Sequence, residues 1–395
     1  MLREISAGLK SLPRRSWIGF ILAFTLIFVF FLWHLGNLTQ GMSKSELSYT
    51  HDSLTWSNIV SHPLNAPHRL LQLLTHTLAP DHPSLLRLAS VSFGLVFCLA
   101  FYKMTRIWFG RVVGLFATLI YASLPIFVVS ARQAFPVVLL FAPTVFISIY
   151  NWLLRANGKR DWVWLLICLS AVIFVFTPGM FVWLIVAFVI CQKNLVKTIH
   201  GLSAWALAGG SLMIASALGA IAWAAARNHQ ILKDLLLIPS HISDWTALLS
   251  NTGWMALSLF IRTGHNDRLL VGRLPLLNIL LAALLVFGIY AMLGASRTKT
   301  LALGAGVLYA VILAGLNNNI ELLALGLPSI AIFISAGLRY LYIEWRSVFP
   351  RNPVPRTFAV VLIAFVAATQ VYFGLRYALS AWPNTPATRS TYVLK

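Results

Sequence analysis

WIGFILAFTLIFVFFLWHL, residues 17–35, is an apolar run with no charged side chain. At 1.5 Å per residue such a run makes a helix long enough to cross the roughly 30 Å hydrocarbon core of a bilayer. The basic stretch before it, MLREISAGLKSLPRR, resembles a signal-peptide n-region. The apolar run exceeds the usual h-region, however, and no small-residue cleavage site follows, so an uncleaved first span is expected. What comes next is not a tight turn but a long polar stretch, residues 36–84. A second long polar stretch, residues 227–273, falls on the same predicted side of the membrane.

The rest of the chain repeats the apolar theme. Of its 395 residues 59% are hydrophobic and only 10% charged, with a mean hydropathy of +0.81. That composition excludes an ordinary soluble domain and fits a polytopic membrane protein. The expected fold is all-α, a single membrane domain over residues 1–395. Spans are predicted at about 17–35, 85–103, 112–129, 138–154, 162–176, 179–191, 202–224, 274–293, 300–316, 321–338 and 357–378, some eleven helices. Thr177-Pro178-Gly179 breaks the fifth predicted span from the sixth. Proline removes a donor and glycine permits the turn, so two short helices in a hairpin are expected there.

The formal net charge is +20. Its residues are scattered through short loops, which argues against a nucleic-acid surface. Arg14, Arg15, Lys103, Arg106, Arg111, Arg155, Lys193, Lys197, Arg297, Lys299 and Arg339 all fall on the side of the N-terminus. The positive-inside rule then places the N-terminus in the cytoplasm, the two long loops outside and, with an odd span count, the C-terminus outside. Cys98, Cys168 and Cys191 lie in apolar runs and read as buried thiols, not as a disulfide or a metal site.

The first long loop carries local structure. Ser43-Lys44-Ser45-Glu46 matches a capping box, with Ser43 as N-cap. Glu46 is then either a carboxylate facing the mouth of the bundle or simply the acid of that box. Pro67 suits a first helical turn, and Leu70, Leu71, Leu74 and Leu78 line one face of the helix that follows. His68, Gln72 and His76 line the other. That row is a polar face on an interfacial helix or, without a nearby carboxylate or thiol, a weak metal set. Asn37-Leu38-Thr39 is a formal glycosylation sequon close to the membrane. In the short loop after the third span, Arg132 either snorkels or faces an anion. In the second long loop Arg262, Arg268 and Arg273 can hold a phosphate by charge-assisted bonds or attract anionic headgroups.

Four stretches carry a family resemblance. They are Leu38–Glu46 with Asn65–Leu71, Arg87–Leu95 with Trp108–Arg111, Ala131–Pro136, and Arg262–Gly264 with Arg273–Asn278 and Gly326–Pro328. In their order and loop placement the chain resembles the GT-C membrane glycosyltransferases, especially bacterial protein O-mannosyltransferases and aminoarabinose transferases. The resemblance implies a helical bundle with interfacial helices in a long first outer loop. It also implies transfer of a sugar from a polyprenyl-phosphate donor to a lipid, glycan or protein acceptor at the outer face of a bacterial cytoplasmic membrane. Glu46 would then be the base on the acceptor hydroxyl. His68, Arg69, Arg132, Arg262, Asp267, Arg268 and Arg273 would contact substrate, the arginines the departing phosphate. The expected partners are the lipid-linked donor, membrane lipids and an acceptor the sequence does not name. No resident cofactor is implied, and a divalent metal stays open.

The chain departs from that pattern. Where relatives carry an acidic pair, Ser45 precedes a lone Glu46; Val137 and Val138 follow Pro136 where many have a carboxylate; and Asn317-Asn318-Asn319-Ile320-Glu321 stands where a basic residue is usual. Either substrate handling has changed or catalysis has been lost. A non-catalytic protein that binds lipid-linked sugar or supports a partner enzyme is therefore a second expectation. A lipid-linked substrate transporter is a third, disfavoured because the span centres hold almost no charge.

Overall fold

In the computed structural model, residues 14–37, 39, 41–78, 83–155, 160–239, 244–263, 269–348 and 353–393 are described. The chain is all-α, with no β-strand element among the described residues. Helix α1 (Arg14–Leu32) leads into three short helices, α2 (Lys44–Ser53), α3 (Trp56–Ser61) and α4 (Ala66–Leu78). The bundle continues with α5 (Pro83–Phe109), α6 (Arg111–Ala122), α7 (Pro125–Ala131), α8 (Pro143–Leu153), α9 (Arg160–Phe176), α10 (Met180–Ile199) and α11 (Ala204–Arg227). Two loop helices follow, α12 (Gln230–Leu236) and α13 (Trp245–Ser258). Then come α14 (Ile279–Ala295), α15 (Arg297–Leu316), α16 (Leu327–Val348), α17 (Pro353–Leu375), which continues through a π-helical turn (Arg376–Ala381) and a short turn of helix (Trp382–Asn384), and the short α18 (Pro386–Thr391). The order of these helices follows the expected order of spans.

The count of eleven spans is not confirmed. Among the described residues, seven helical segments are long and apolar enough to cross a membrane, or eight if the bent pair α6–α7 is one span. The expected span at 112–129 bends by 67° between α6 and α7, where Pro125 starts the second half. A proline cannot donate into the preceding turn, so the axis redirects there. Helices α1 and α14 are apolar but short. Two further spans begin as 3-10 turns, Pro136–Phe141 ahead of α8 and Ile320–Leu325 ahead of α16.

Burial sorts the helices. The α8 and α16 segments are 72% and 67% buried in their apolar windows, and α10 only 11%. The centre is an aromatic stack in which Tyr121 lies 4.3 Å from Phe101 and 4.6 Å from Phe127, ring centre to ring centre. Peripheral helices expose large apolar side chains such as Leu212, Val286 and Phe365, as lipid-facing surfaces do. Helices α14 and α16 cross with backbones in contact. A Cβ on Gly288 would collide with the Phe333 carbonyl, and one on Gly337 with that of Leu284.

The predicted break at Thr177-Pro178-Gly179 is a sharp turn with Gly179 in the left-handed region, φ +75°. The helix after it reaches Ile199, well beyond the expected residue 191. Both long loops meet at this turn. The Asn65 amide donates to the Phe176 carbonyl at 2.7 Å, and the Gly179 amide donates to Leu235 at 2.8 Å. Leu64 and Leu235 share one small apolar cluster beside it. The bundle thus has a loop end, carrying both long loops, and a basic end, carrying the short connections with Lys103, Lys193 and Lys299.

Candidate functional site

At the loop end a buried polar node joins the first long loop to the bundle. Ser43 caps α2 as expected, its hydroxyl accepting the Glu46 amide at 3.1 Å. The Glu46 side chain does not fold back to complete the capping box. It crosses to Arg87 in the first turns of α5, where Nε and Nη2 donate to its two oxygens at 2.9 and 3.0 Å. Its Oε1 also accepts the Ala134 amide at 2.6 Å. Glu46 is 2% exposed and Arg87 4%. Arg87 donates further to the Gly41 carbonyl at 3.1 Å and reaches the Thr39 hydroxyl at 3.4 Å. Two buried charges are tolerable here because nearly every lone pair and proton has a partner.

The carbonyl of Ala134 is gripped from the opposite side by Gln72 of α4, at 3.0 Å. One residue of the short loop is therefore clamped between α2 and α4. His68 extends the same network. Its Nε2 lies 2.7 Å from the Ser90 hydroxyl and its Nδ1 3.5 Å from the Tyr49 phenol. Ser90 also donates to the Phe135 carbonyl at 3.4 Å, so the imidazole and Ser90 together link α2, α5 and the short loop. Burial, helped by the nearby Arg69 charge, pushes the His68 pKa down to about 3, so the ring is neutral. Burial also pushes the Tyr49 phenol well up, against the opposing pull of Arg69.

The faces of α4 are settled by this packing. His68 and Gln72 are buried against protein, whereas Leu70, Leu74 and Leu78 are exposed. An interfacial helix was expected, and its leucines do point outward. Its polar row points into the protein, not to water. Only part of the row is fully buried, since His76 is half-buried. Among the described residues no three His, Cys, Asp or Glu side chains converge as a metal set.

The other expected site residues are dispersed. Arg69 donates to the His62 carbonyl at 3.1 Å and lies 5.0 Å above the Tyr49 ring. Arg132 is buried, but its guanidinium caps the end of α1, donating to Phe30 and Trp33 at 2.6 Å and to Phe31 at 3.0 Å. Arg262 and Arg273 are exposed on the second long loop. Asp267, Arg268 and Leu38 of the sequon lie outside the described residues. That loop is tied instead to the C-terminal segment: the Val271 amide donates to the Tyr377 hydroxyl at 2.7 Å, and that hydroxyl donates to Leu269 at 3.2 Å. Tyr392 completes the ring of contacts by accepting from Gln133 at 2.8 Å.

Arg87 has no expected role of its own, although it opens one of the stretches that carry the resemblance. The missed signal was physical: an arginine at the start of an apolar span is costly unless an anion meets it, and the preceding loop holds few carboxylates. Gly41 and Ala134 were expected in no role of their own, because they act only through backbone atoms.

This bundle, with its docked loop helices, has the GT-C fold of membrane glycosyltransferases. No protein-family model and no curated protein matches the sequence. Solved structures do. The oligosaccharyltransferase of Archaeoglobus fulgidus in its apo form is similar with a TM-score of 0.59 at 14% identity, over 95% of this chain and 59% of that one. ArnT from Cupriavidus metallidurans bound to undecaprenyl phosphate is similar with a TM-score of 0.54 at 13% identity, over 94% of this chain and 78% of that one. The chain thus spans little more than half the length of the oligosaccharyltransferase.

Proposed function

We propose that this chain binds a polyprenyl-phosphate-linked sugar at its loop end and transfers the sugar to a lipid, glycan or protein acceptor there. The observation that supports this reading best is the likeness, over 94% of the chain, to a structure that holds undecaprenyl phosphate. On this reading the loop end faces outward from a bacterial cytoplasmic membrane, because basic residues crowd the opposite end. The exposed Arg262 and Arg273, with Arg268, supply the phosphate contacts. Glu46 retains the base role only if donor binding releases it from Arg87. In the resting arrangement it is a positioning residue that holds loop and bundle together.

One observation favours a second reading. Both oxygens of Glu46 are already engaged, so the carboxylate is poorly placed to take a proton. A non-catalytic protein with the same fold, retaining a lipid-linked sugar for a partner enzyme, would need no free base.

Purified protein in lipid nanodiscs, supplied with undecaprenyl-phosphate-linked sugars and an envelope lipid extract, separates the two by mass spectrometry. Transferred sugar on any acceptor is the expected result. Donor retained without turnover favours the second reading, and no retention of donor refutes both.

A further inference from the structure

Away from the loop end, a cavity of about 460 Å³ opens between α8, α10 and α15. Its walls are largely apolar, and several polar groups gather at one extremity. Asn151 accepts the Trp108 indole proton at 3.1 Å, Asn194 donates to the Tyr150 hydroxyl at 3.1 Å, and Lys299 lies 4.9 Å above the Trp108 ring. This is the basic end of the bundle. Among the described residues no carboxylate pairs with Lys299.

The opposite extremity is closed. Tyr309 donates to the Gly179 carbonyl at 2.7 Å, and Trp183 packs on Phe146 and Phe174 with ring centres 5.8 and 5.2 Å away. Above that closure, Leu237 covers the Gly179 turn and its carbonyl accepts from Asn317 at 3.1 Å. Gly306 keeps the closed part roomy, since a Cβ there would already lie 3.3 Å from the Ser329 hydroxyl.

Along α15 the cavity runs from Lys299 to Tyr309, about 15 Å at the helical rise. That is roughly half the 30 Å hydrocarbon core, the depth of one leaflet. A slot of that length, closed beside the Gly179 turn and cationic at its mouth, matches an acyl chain with an anionic headgroup in size and charge. We propose that it holds one acyl chain of an anionic glycerophospholipid from the leaflet at the basic end, with the lipid phosphate at Lys299. The site is separate from the loop end, and the inference does not depend on sugar transfer.

The test uses the full chain in nanodiscs of phosphatidylcholine with or without phosphatidylglycerol, followed by native mass spectrometry. One phosphatidylglycerol retained in preference to phosphatidylcholine is expected. Lys299→Gln should lower that preference about fivefold, the effect of one cation at an anionic headgroup, and Gly306→Leu should abolish retention. Because Gly306→Leu fills a packed region, Cys191 in the slot wall gives a second readout on the wild-type chain. Its alkylation by N-ethylmaleimide should slow when phosphatidylglycerol is added, and slow less in Lys299→Gln. Equal retention of both phospholipids, alkylation indifferent to phosphatidylglycerol, or a polyprenyl phosphate displaced from the slot by Gly306→Leu would each overturn the proposal.

Discussion

Glu46 and Arg87, 41 positions apart, meet in a buried two-pronged ion pair that fastens the first long loop to the second long helix of the bundle. The pair explains why α2 lies where it does. It draws in the Ala134 amide as well, so three separate segments share one carboxylate.

Removing either charge leaves the other buried and unpaired. Glu46→Gln or Arg87→Gln should each cost about 3–5 kcal/mol of stability. Thermal unfolding in detergent should show the double variant falling well short of the summed losses. Strict additivity would mean that the two side chains do not act as a unit.

His68 makes stability depend on pH in a defined direction. Its pKa is near 6.5 in the unfolded chain and about 3 in the folded one. Between those values the unfolded chain binds more protons, so stability rises with pH across the window and drains away as the pH falls toward 3. The slope contributed is about 1.4 kcal/mol per pH unit. Denaturation midpoints of wild type and His68→Asn, compared from pH 6.5 down to 4, should converge at the acid end. Parallel curves would count against a neutral, buried imidazole.

The arginines divide into structural and exposed. Arg132→Ala uncovers the last carbonyls of α1 and should destabilise by at least about 1–3 kcal/mol. Arg262→Ala and Arg273→Ala, being surface changes, should stay within about 0.5 kcal/mol of wild type while weakening retention of polyprenyl phosphate. If Arg132→Ala matches wild type in unfolding but loses polyprenyl phosphate, its capping role is secondary.

The crossing of α14 and α16 has no space for a side chain at Gly288 or Gly337. Gly337→Leu forces the backbones apart and should cost well above the 1–3 kcal/mol of ordinary overpacking. Gly294→Leu on the partner helix α14, with open space beside it, serves as the comparison. Equal melting temperatures for the two would contradict the close crossing.

Much of this architecture was written in local pattern. Apolar runs of bilayer length marked the helices, Thr177-Pro178-Gly179 marked the turn, and Ser43 marked the start of α2. The leucine face of α4 was equally readable, because helical periodicity alone assigns residues to faces. These features depend only on neighbours in sequence. The span count was less legible, since Pro125, Pro136 and Pro143 break apolar stretches into pieces whose continuity depends on packing.

The tertiary structure decided which partner each polar group would take. Glu46 was consistent with a capping box or a base until Arg87 was brought against it from another helix. Arg132 was consistent with an anion contact until the end of α1 arrived beside it, and the His68–Gln72 row could not be aimed at water or protein until α4 was docked. A charge in an apolar setting must find a counter-charge or a set of dipoles, but sequence spacing does not say which. That choice rests on contacts between residues 19 to 102 positions apart, and only the folded bundle makes them.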